Sequence, residues 1–500
     1  MAWTGAGPLF ILVATYAGVA VGRIPGLRLD RAGIALLGAA AMIAIGAIGI
    51  EDAYRAMNFD TITLLLGMMI VVAHLKVSGA FRALGGFAIE HAHAPFMLLV
   101  MVTLLTGVLS AFLVNDAICL VMAPIVVRVT RVINRNPVPY LIATAVASNA
   151  GSVATITGNP QNMVIGALSG ISYPAFTLAL APVALFSLFC VIVIVRIVYR
   201  AEFSRPAELS PEVYRGRMLP GQVLKATIVC VLLALAFFAG VPVAKAALIA
   251  GAFLLVTRAI KPRRIYREID GPLLSMFAGL FVVVAGAERT LLTPDMIAWA
   301  KNIGLDDVWR LSGFTAVLSN IMSNVPAVLA LRPFIPGLEN LERAWLVVAM
   351  SSTLAGNFTL LGSVANLIVA EQAKAAGKEL SFSAFFKVGL PLTLVTPCRR
   401  HGLAEYWWMT SDTALLFSPE VSGRIEPEPV WMLGPCRTDG FVGCEAVKCL
   451  ELPGEVVSSK EGSKMIFELT VGRLVISPDG CLVQRSVHLF GLLPIFRTRG

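Results

Sequence analysis

Apolar segments occupy most of the first 396 residues of this chain, and several of them are too short to cross a membrane. Of the 500 residues, 57% are hydrophobic and 14% are charged, a composition too apolar for a solvated surface. Only helices and closed barrels satisfy their backbone hydrogen bonds in hydrocarbon, and these segments lack the alternation of barrel strands. The chain is therefore predicted to be an all-α polytopic membrane protein.

Polar residues interrupt the apolar segments at four places, residues 114–116, 151–160, 323–325 and 357–363. About 20 apolar residues are needed to cross the hydrocarbon, and the pieces beside these interruptions are shorter. Such breaks are tolerated at membrane depth only beside protein or a water-filled cavity. The pattern predicts two re-entrant hairpins, at 114–116 and 323–325, and two broken helices.

An internal repeat relates the breaks to one another. LSAFLVNDAICLVMAP (109–124) aligns with LSNIMSNVPAVLALRP (318–333), and GSVATITGNPQN (151–162) aligns with AGNFTLLGSVAN (355–366). Short basic loops, one of which includes Arg31, alternate with loops poor in basic residues. This alternation predicts cytoplasmic basic loops, an extracytoplasmic N-terminus and hairpins that enter from opposite faces.

We therefore predict two inverted repeats, each with a re-entrant hairpin and a broken helix. Residues 1–200 would form the first half of a transporter, residues 201–397 the second half, and residues 398–500 a small β-prone C-terminal tail. In inverted-repeat proteins, substrate and coupling-ion sites lie near the midplane between the halves. The tail itself is interpreted either as a small soluble domain or as sequence joined by a frameshift.

The breaks carry the candidate substrate site. Each hairpin tip is predicted to begin a helix with an asparagine cap, Asn115 or Asn324. Helices that start there and near the other two breaks would direct unpaired N–H groups at the midplane, which favours an anionic or oxygen-bearing substrate. The candidate substrate-binding residues are Asn115, Asp116, Thr155, Gly158, Asn159, Asn162, Ser323, Asn324, Thr359, Gly362, Ser363 and Asn366.

The same region offers oxygen ligands for a coupling cation. Hydroxyls, amides and carbonyls at broken helix ends are the hard ligands that sodium prefers, although small residues also simply allow close helix packing. The candidate sodium ligands are Ser110, Asn115, Gly151, Ser319, Asn324 and Gly356.

Asp116 has no acidic counterpart in the second half, where Val325 takes its place. A carboxylate at membrane depth is costly, which favours a functional role. Asp116 could bind a cation, carry a coupling proton, or serve only as an ion-paired or capping carboxylate.

Other patterns narrow the function. The chain has no P-loop, HExxH or GxSxG motif, which argues against ATP-driven transport and common hydrolase chemistry, so we predict no enzyme activity. His74, His91 and His93 are predicted to be interfacial rather than metal ligands. The net charge of +9 is attributed to cytoplasmic loops, not to nucleic-acid binding. No cofactor is predicted besides a coupling ion, sodium or proton.

Four stretches resemble the ion transporter superfamily, which includes arsenite permeases, D-type sodium/proton antiporters, and citrate and divalent anion symporters. They are FLVNDAICLVMAPIV, SNAGSVATITGNPQNMVIG, SNIMSNVPAVLAL and AGNFTLLGSVANLIVAEQA, in family order. The resemblance implies a multi-pass homodimer of the cell inner membrane with elevator-like motion. It also implies secondary transport of an anion or oxyacid of the citrate, dicarboxylate, sulfate or arsenite class, coupled to sodium or protons.

The hairpin tips depart from the Ser-Asn-Thr motif of the dicarboxylate branch. They read Val114-Asn115-Asp116 and Ser323-Asn324-Val325, which is closer to the arsenite-permease and general anion-permease pattern. Two alternatives stay open. The protein could be a sodium/proton antiporter in which Asp116 exchanges the ions, or a membrane sensor that uses the permease fold for binding and the tail for output.

Overall fold

The computed structural model describes residues 6–21, 29–91, 94–204, 219–257, 259–291 and 304–398, and four short strands between 459 and 487. The helices of the first half are α1 Ala6–Val21, α2 Arg31–Ala44, α3 Ile50–Ala56, α4 Phe59–Ser78, α5 Ala80–His91, α6 Pro95–Phe112, α7 Asn115–Val132, α8 Pro137–Ser152, α9 Pro160–Ser169, α10 Tyr173–Val198 and α11 Arg200–Phe203. Those that follow are α12 Pro220–Phe238, α13 Val243–Leu255, α14 Pro262–Tyr266, α15 Gly271–Leu291, α16 Val308–Met322, α17 Asn324–Leu331, α18 Leu341–Ala355, α19 Val364–Ala375 and α20 Phe382–Cys398.

The helices confirm a polytopic membrane protein. Among the described residues, five helices are long and apolar enough to cross a membrane: α4, α6, α10, α12 and α15. Shorter apolar helices accompany them, and large apolar side chains stand exposed along α12 and α13, among them Leu224, Leu232 and Phe253. Apolar surface of this kind is suited to contact with lipid rather than water.

The first predicted hairpin is formed by α6 and α7. At one end of the pair, the Tyr140 hydroxyl on α8 donates to the carbonyl oxygen of Pro95 on α6, 3.3 Å away. At the other end, Gly151 of α8 packs directly against Gly107 of α6, so α6 and α8 run alongside each other in the same direction. Because α7 starts at the tip of α6 and ends five residues before α8 begins, α7 runs back beside α6. Although α6 is long enough to span, the chain turns back at Leu113–Val114.

The second predicted hairpin is formed by α16 and α17 and turns at a single residue, Ser323. It packs against α18 through two polar contacts. The hydroxyls of Ser312 and Ser351 lie 2.7 Å apart, and the Asn320 amide donates to the Ala355 carbonyl at 3.0 Å. Both hairpins thus lie against the helix that follows them in sequence.

The remaining helices show a reciprocal packing that the sequence comparison did not detect. A Cβ on Gly67 of α4 would lie 2.6 Å from the backbone of Ala247 on α13, and a Cβ on Gly279 of α15 would lie 2.7 Å from the backbone of Ala35 on α2. Glycine permits both approaches because it has no Cβ. Gly279 lies 212 positions after Gly67, and Ala247 lies 212 positions after Ala35. Two related halves therefore exchange equivalent contacts, while their opposite orientation in the membrane stays a prediction.

The chain divides into two compact units, Met1–Arg424 and Ile425–Gly500. In the second unit, β1 Ser459–Glu461, β2 Lys464–Leu469, β3 Gly472–Ile476 and β4 Gln484–Val487 form an antiparallel sheet in sequence order, with Ile466 opposite Val475. The β-prone character of the tail agrees with these strands. The predicted boundaries at 200/201 and 397/398 stay predictions.

Two local expectations are wrong. The hairpin helices are capped by Val114 and Ser323 without side-chain hydrogen bonds, whereas Asn115 and Asn324 are the first helical residues. Their amides are drawn into contacts within the bundle instead. His74 is fully buried in α4 rather than interfacial. His93 and the side chain of His91 lie outside the described residues.

Candidate functional site

A cavity of about 460 Å³, which includes solvent at its mouth, lies where four helices begin. Its walls include the first residues of α7 and α17 at the hairpin tips, and of α9 and α19 after the helix breaks. Five of the predicted substrate-binding residues line it: Asn115, Asp116, Ser323, Asn324 and Ser363. Helix starts carry unpaired N–H groups and the positive ends of helix dipoles, so this wall favours negative charge or acceptor oxygens.

The backbone at the second hairpin tip is strained. Ser323 has φ 74° and ψ 161°, a region that residues with a side chain rarely adopt. This conformation lets the chain reverse in one residue and brings Ser323, Asn324 and Val325 to the cavity wall. Strain of this kind costs about 1–3 kcal/mol and concentrates at functional sites.

The two helix breaks are held by the same hydrogen bonds. The Asn162 amide nitrogen donates to the carbonyl oxygens of Ser152, at 3.1 Å, and Thr155, at 2.9 Å. With the repeat offset of 204, the Asn366 amide nitrogen donates to Gly356, at 2.7 Å, and Thr359, at 3.0 Å. Both asparagines are fully buried. They close the breaks and do not line the cavity.

The other predicted residues of the breaks also support the loops. A Cβ on Gly158 would overlap the Ser152 carbonyl oxygen, and a Cβ on Gly362 would lie 2.9 Å from the Gly356 carbonyl oxygen. Thr155 donates to the carbonyl oxygen of Ala111, which ties the first break to the first hairpin. These residues position the neighbouring helix starts rather than face the cavity.

A second set of hydrogen bonds crosses between the halves. Ser363 donates to Asn149 Oδ1 at 3.2 Å, and Asn159 Nδ2 donates to Thr353 Oγ1 at 3.2 Å. Asn159 also caps α9 by accepting from the Asn162 backbone N–H. Ser363 lies 204 positions after Asn159, and Thr353 lies 204 positions after Asn149, so the two contacts correspond in the repeat. The broken helices of the two halves are therefore joined at their polar ends.

Sequence reasoning missed several residues of this network. Asn149 accepts from the Asn115 amide at 3.1 Å and donates to Asn357 Oδ1 at 2.9 Å, all within the buried interior. Gln161 lines the cavity and donates to Thr353 at 3.1 Å. Extending the aligned segments by two residues toward the N-terminus would have paired Asn149 with Thr353.

The candidate sodium ligands are not equivalent in the two halves. Ser319 Oγ lies 2.7 Å from Asn324 Oδ1 and 2.9 Å from the Ser352 carbonyl oxygen, so its hydroxyl is occupied. Their counterparts, Ser110 Oγ and Asn115 Oδ1, are buried and have no hydrogen-bond partner among the described residues. Two oxygen atoms of the first hairpin are thus available to a ligand.

The backbone candidates for sodium are hydrogen-bonded in both halves. The Gly356 carbonyl oxygen accepts from Asn366, and the Gly151 carbonyl oxygen accepts from the Ala154 backbone N–H at 3.1 Å. Among the candidates, the unpartnered oxygens are therefore those of Ser110 and Asn115 on the first-half side.

Among the described residues, two charged ones line the cavity, Arg31 and Asp116. Arg31 is the first residue of α2, so it belongs to a helix outside the hairpins and breaks. In the sequence it stands only among the basic residues of a predicted cytoplasmic loop. Nothing in its sequence neighbourhood indicated that α2 would bring it to the hairpin tips, because this depends on tertiary packing.

Comparison with known proteins supports the resemblance seen in the sequence. The profile of the citrate transporter family matches residues 10–352. The chain belongs to the citrate transporter family. It is thus a multi-pass membrane transporter of that family.

Among the relatives of this family member are other proteins named as transporters. The silicon efflux transporter LSI3 of Oryza sativa subsp. japonica is 29% identical over 444 residues, which cover 74% of this chain and 92% of the relative. An uncharacterized transporter of Mycobacterium tuberculosis is 28% identical over 413 residues, covering 77% and 95%. The putative transporter arsB of Dictyostelium discoideum is 24% identical over 486 residues, covering 74% and 86%.

A solved structure shares the fold. The YdaH transporter of Alcanivorax borkumensis superposes with a TM-score of 0.53 at 16% sequence identity, over 80% of this chain and 97% of that chain. At this identity the likeness concerns the fold alone.

Proposed function

We propose that this family member is a secondary transporter that moves a small anion or oxyacid of the citrate, dicarboxylate, sulfate or arsenite class across the cell inner membrane. The substrate would bind in the cavity between the hairpin tips and the second members of the broken helices. The observation that carries the proposal is the convergence of four helix starts on one cavity of about 460 Å³.

The contacts around the cavity explain how such a ligand would be held. The wall is formed largely by helix starts, whose N–H groups and dipoles attract anionic oxygens, and Arg31 adds a cationic side chain. The hydrogen bonds of Asn149 and Thr353 lock the breaks in place, so these helix starts are preorganised. The ligand would be moved without covalent change, in keeping with relatives that are named as transporters.

The asymmetry of the hairpins supports a single coupling-ion site on the first-half side. Ser110 Oγ and Asn115 Oδ1 are two unpartnered buried oxygens, and sodium is bound by oxygen ligands of this kind. Asn115 lies at the wall of the substrate cavity. Ion and substrate would therefore share one hairpin, and the binding of one would position the other.

The proposal includes a homodimer in the inner membrane with an extracytoplasmic N-terminus. The dimer rests on the family resemblance, and the orientation rests on the basic loops. The lining residues Val19 and Met276 lie near the ends of α1 and α15 that adjoin basic loops. The cavity wall formed by these helices would then be on the cytoplasmic side.

Uptake into proteoliposomes tests the proposed function. Purified protein would be given citrate, dicarboxylates, sulfate, arsenite, silicic acid and sodium in turn, under imposed sodium or proton gradients. We expect gradient-driven flux of at least one anion or oxyacid. Absence of flux for every compound, with protein that remains folded and reconstituted, would overturn the proposal.

A second candidate function is sodium/proton antiport. It is favoured by one observation, that the carboxylate of Asp116 lines the cavity without an acidic partner in the second hairpin. In that case Asp116→Asn should abolish ion exchange, and no anion should be required for it. Sodium-driven proton flux in liposomes without any anionic substrate distinguishes the two functions.

A further inference from the structure

We propose that Arg31 and Asp116 together determine substrate specificity, by selecting a ligand that carries both an anionic oxygen group and a hydroxyl. Arg31 would bind the anionic group, and Asp116 would accept a hydrogen bond from the hydroxyl of the same molecule. This inference rests on the proposed function and deepens it, because it names the chemical class of the ligand.

Arg31 and Asp116 lie at the wall of the same cavity. They are close enough for each charge to act on the other. Although both are among the described residues, they form no ion pair within 4.0 Å. Charges that face a common cavity without contact leave room for a ligand between them.

Neither side chain is engaged by another group of the described chain. Within the described part of the chain, neither the Arg31 guanidinium nor the Asp116 carboxylate makes a direct hydrogen bond. Asp30, the neighbour of Arg31, is instead engaged in capping α2 by accepting from the Gly33 N–H at 2.8 Å. A guanidinium with five donors and a carboxylate that only accepts therefore face the cavity.

The charge balance around Asp116 includes a second carboxylate. Asp270 also interacts with Asp116 electrostatically, while its own carboxylate caps α15 by accepting from Leu273 at 2.9 Å. Asp270 is not among the described residues that line the cavity, so its charge acts on Asp116 from outside the wall. A fully ionised group would be repelled from Asp116, whereas a hydroxyl would be attracted as a donor.

Further helix starts complete the site. Pro160 at the start of α9, Asn324 at the start of α17 and Val364 at the start of α19 line the cavity and favour negative charge. An anionic oxygen group would lie among these helix starts and Arg31. Simple dicarboxylates lack the hydroxyl for Asp116, and neutral oxyacids lack the anionic group for Arg31.

The test is uptake into proteoliposomes with ligands that differ only in the hydroxyl: malate against succinate, and citrate against tricarballylate. The wild-type protein is expected to prefer the hydroxylated member roughly tenfold or more in apparent affinity, because the analogue leaves the Asp116 carboxylate at the cavity wall without its hydrogen-bond donor. Asp116→Asn should reduce this preference. Arg31→Gln should weaken uptake of both members of each pair roughly tenfold, with partial recovery in Arg31→Lys.

Matched controls separate a local effect from general damage. Asp60→Asn and Arg343→Gln change exposed residues in the first turns of α4 and α18, away from the cavity. Both should retain wild-type discrimination, and monodispersity in detergent checks the folding of all variants.

The outcomes distinguish the inference from the proposed function. Transport by the wild-type protein with no hydroxyl preference would overturn the inference alone. The same holds if the hydroxyl preference is unchanged in a folded, transporting Asp116→Asn variant, or if Arg31→Gln takes up both members of each pair as well as the wild type does. It holds as well if arsenite or silicic acid is preferred over both hydroxy acids. Absence of all transport by the wild type would overturn the proposed function and the inference with it.

Discussion

The matched asparagines of the two helix breaks allow a quantitative test of how the site is supported. Replacing Asn162 with Ala removes two hydrogen bonds, to the carbonyls of Ser152 and Thr155. The Thr155 carbonyl retains a second donor, the Gly158 N–H at 3.3 Å, so this loss should cost about 1 kcal/mol. The Ser152 carbonyl has no other donor among the described contacts, and an orphaned buried carbonyl costs about 1–3 kcal/mol. The sum is a destabilisation of about 2–4 kcal/mol.

Asn366→Ala should cost a similar amount. Its amide also donates to two carbonyls, and of these only that of Thr359 retains a backbone donor, Gly362 N–H at 3.1 Å. Since Asn366 Oδ1 additionally accepts from Asn149 at 3.2 Å, its cost should lie toward the upper end of the same range.

Thermal unfolding of the purified protein in detergent is a suitable assay, with Glu371→Ala as the control. Glu371 lies on α19 with Asn366, but it is exposed and should shift stability by no more than about 0.5 kcal/mol. The reasoning would be refuted if either asparagine variant were as stable as the control. It would equally be refuted if only one of them were destabilised, because the two breaks have the same bonding.

Three further predictions concern the hairpins and the tail. Ser323→Gly should raise stability by about 1 kcal/mol, because glycine adopts the positive φ of the second tip without strain, and an unchanged or lower melting temperature would contradict this. Ser110→Ala should lower the apparent affinity for sodium in transport assays. Ser319→Ala should mainly reduce stability, since the Ser319 hydroxyl is already hydrogen-bonded. Equal loss of sodium affinity in both variants would argue for two sites. Deleting residues 398–500 should leave substrate flux undiminished if the tail has no output function, and a loss of regulation with preserved flux would favour the sensor interpretation.

The sequence alone determined the membrane class and the positions of the breaks. Hydrocarbon imposes a length on every spanning helix, so short apolar pieces beside polar tips already indicated hairpins. The internal repeat paired Asn115 with Asn324 and Asn162 with Asn366. These inferences depend on local composition and spacing, which a single sequence displays directly.

Tertiary structure decided what each polar residue does. The sequence predicts a substrate-binding role for Asn162 and Asn366 as it does for Asn115 and Asn324. In the structure, the first pair closes the helix breaks and the second reaches the cavity wall. The partners of a buried amide come from segments distant in sequence, and their geometry is not encoded in local pattern. The two hairpins align in sequence, but in the structure Ser319 is hydrogen-bonded to Asn324 at its hairpin tip, whereas Ser110 has no such bond.

Arg31 shows the same limit most clearly. In sequence it is one of several arginines in a short basic loop, and that pattern predicts orientation but no contact. The close packing of α2 against α15, which depends on Gly279, brings the first residue of α2 to a cavity formed mainly by helices more than 80 residues away. The sequence determined which segments enter the membrane and where they break. Only the packing of the two halves decided which charges face the substrate, because that placement depends on contacts between helices far apart in the chain.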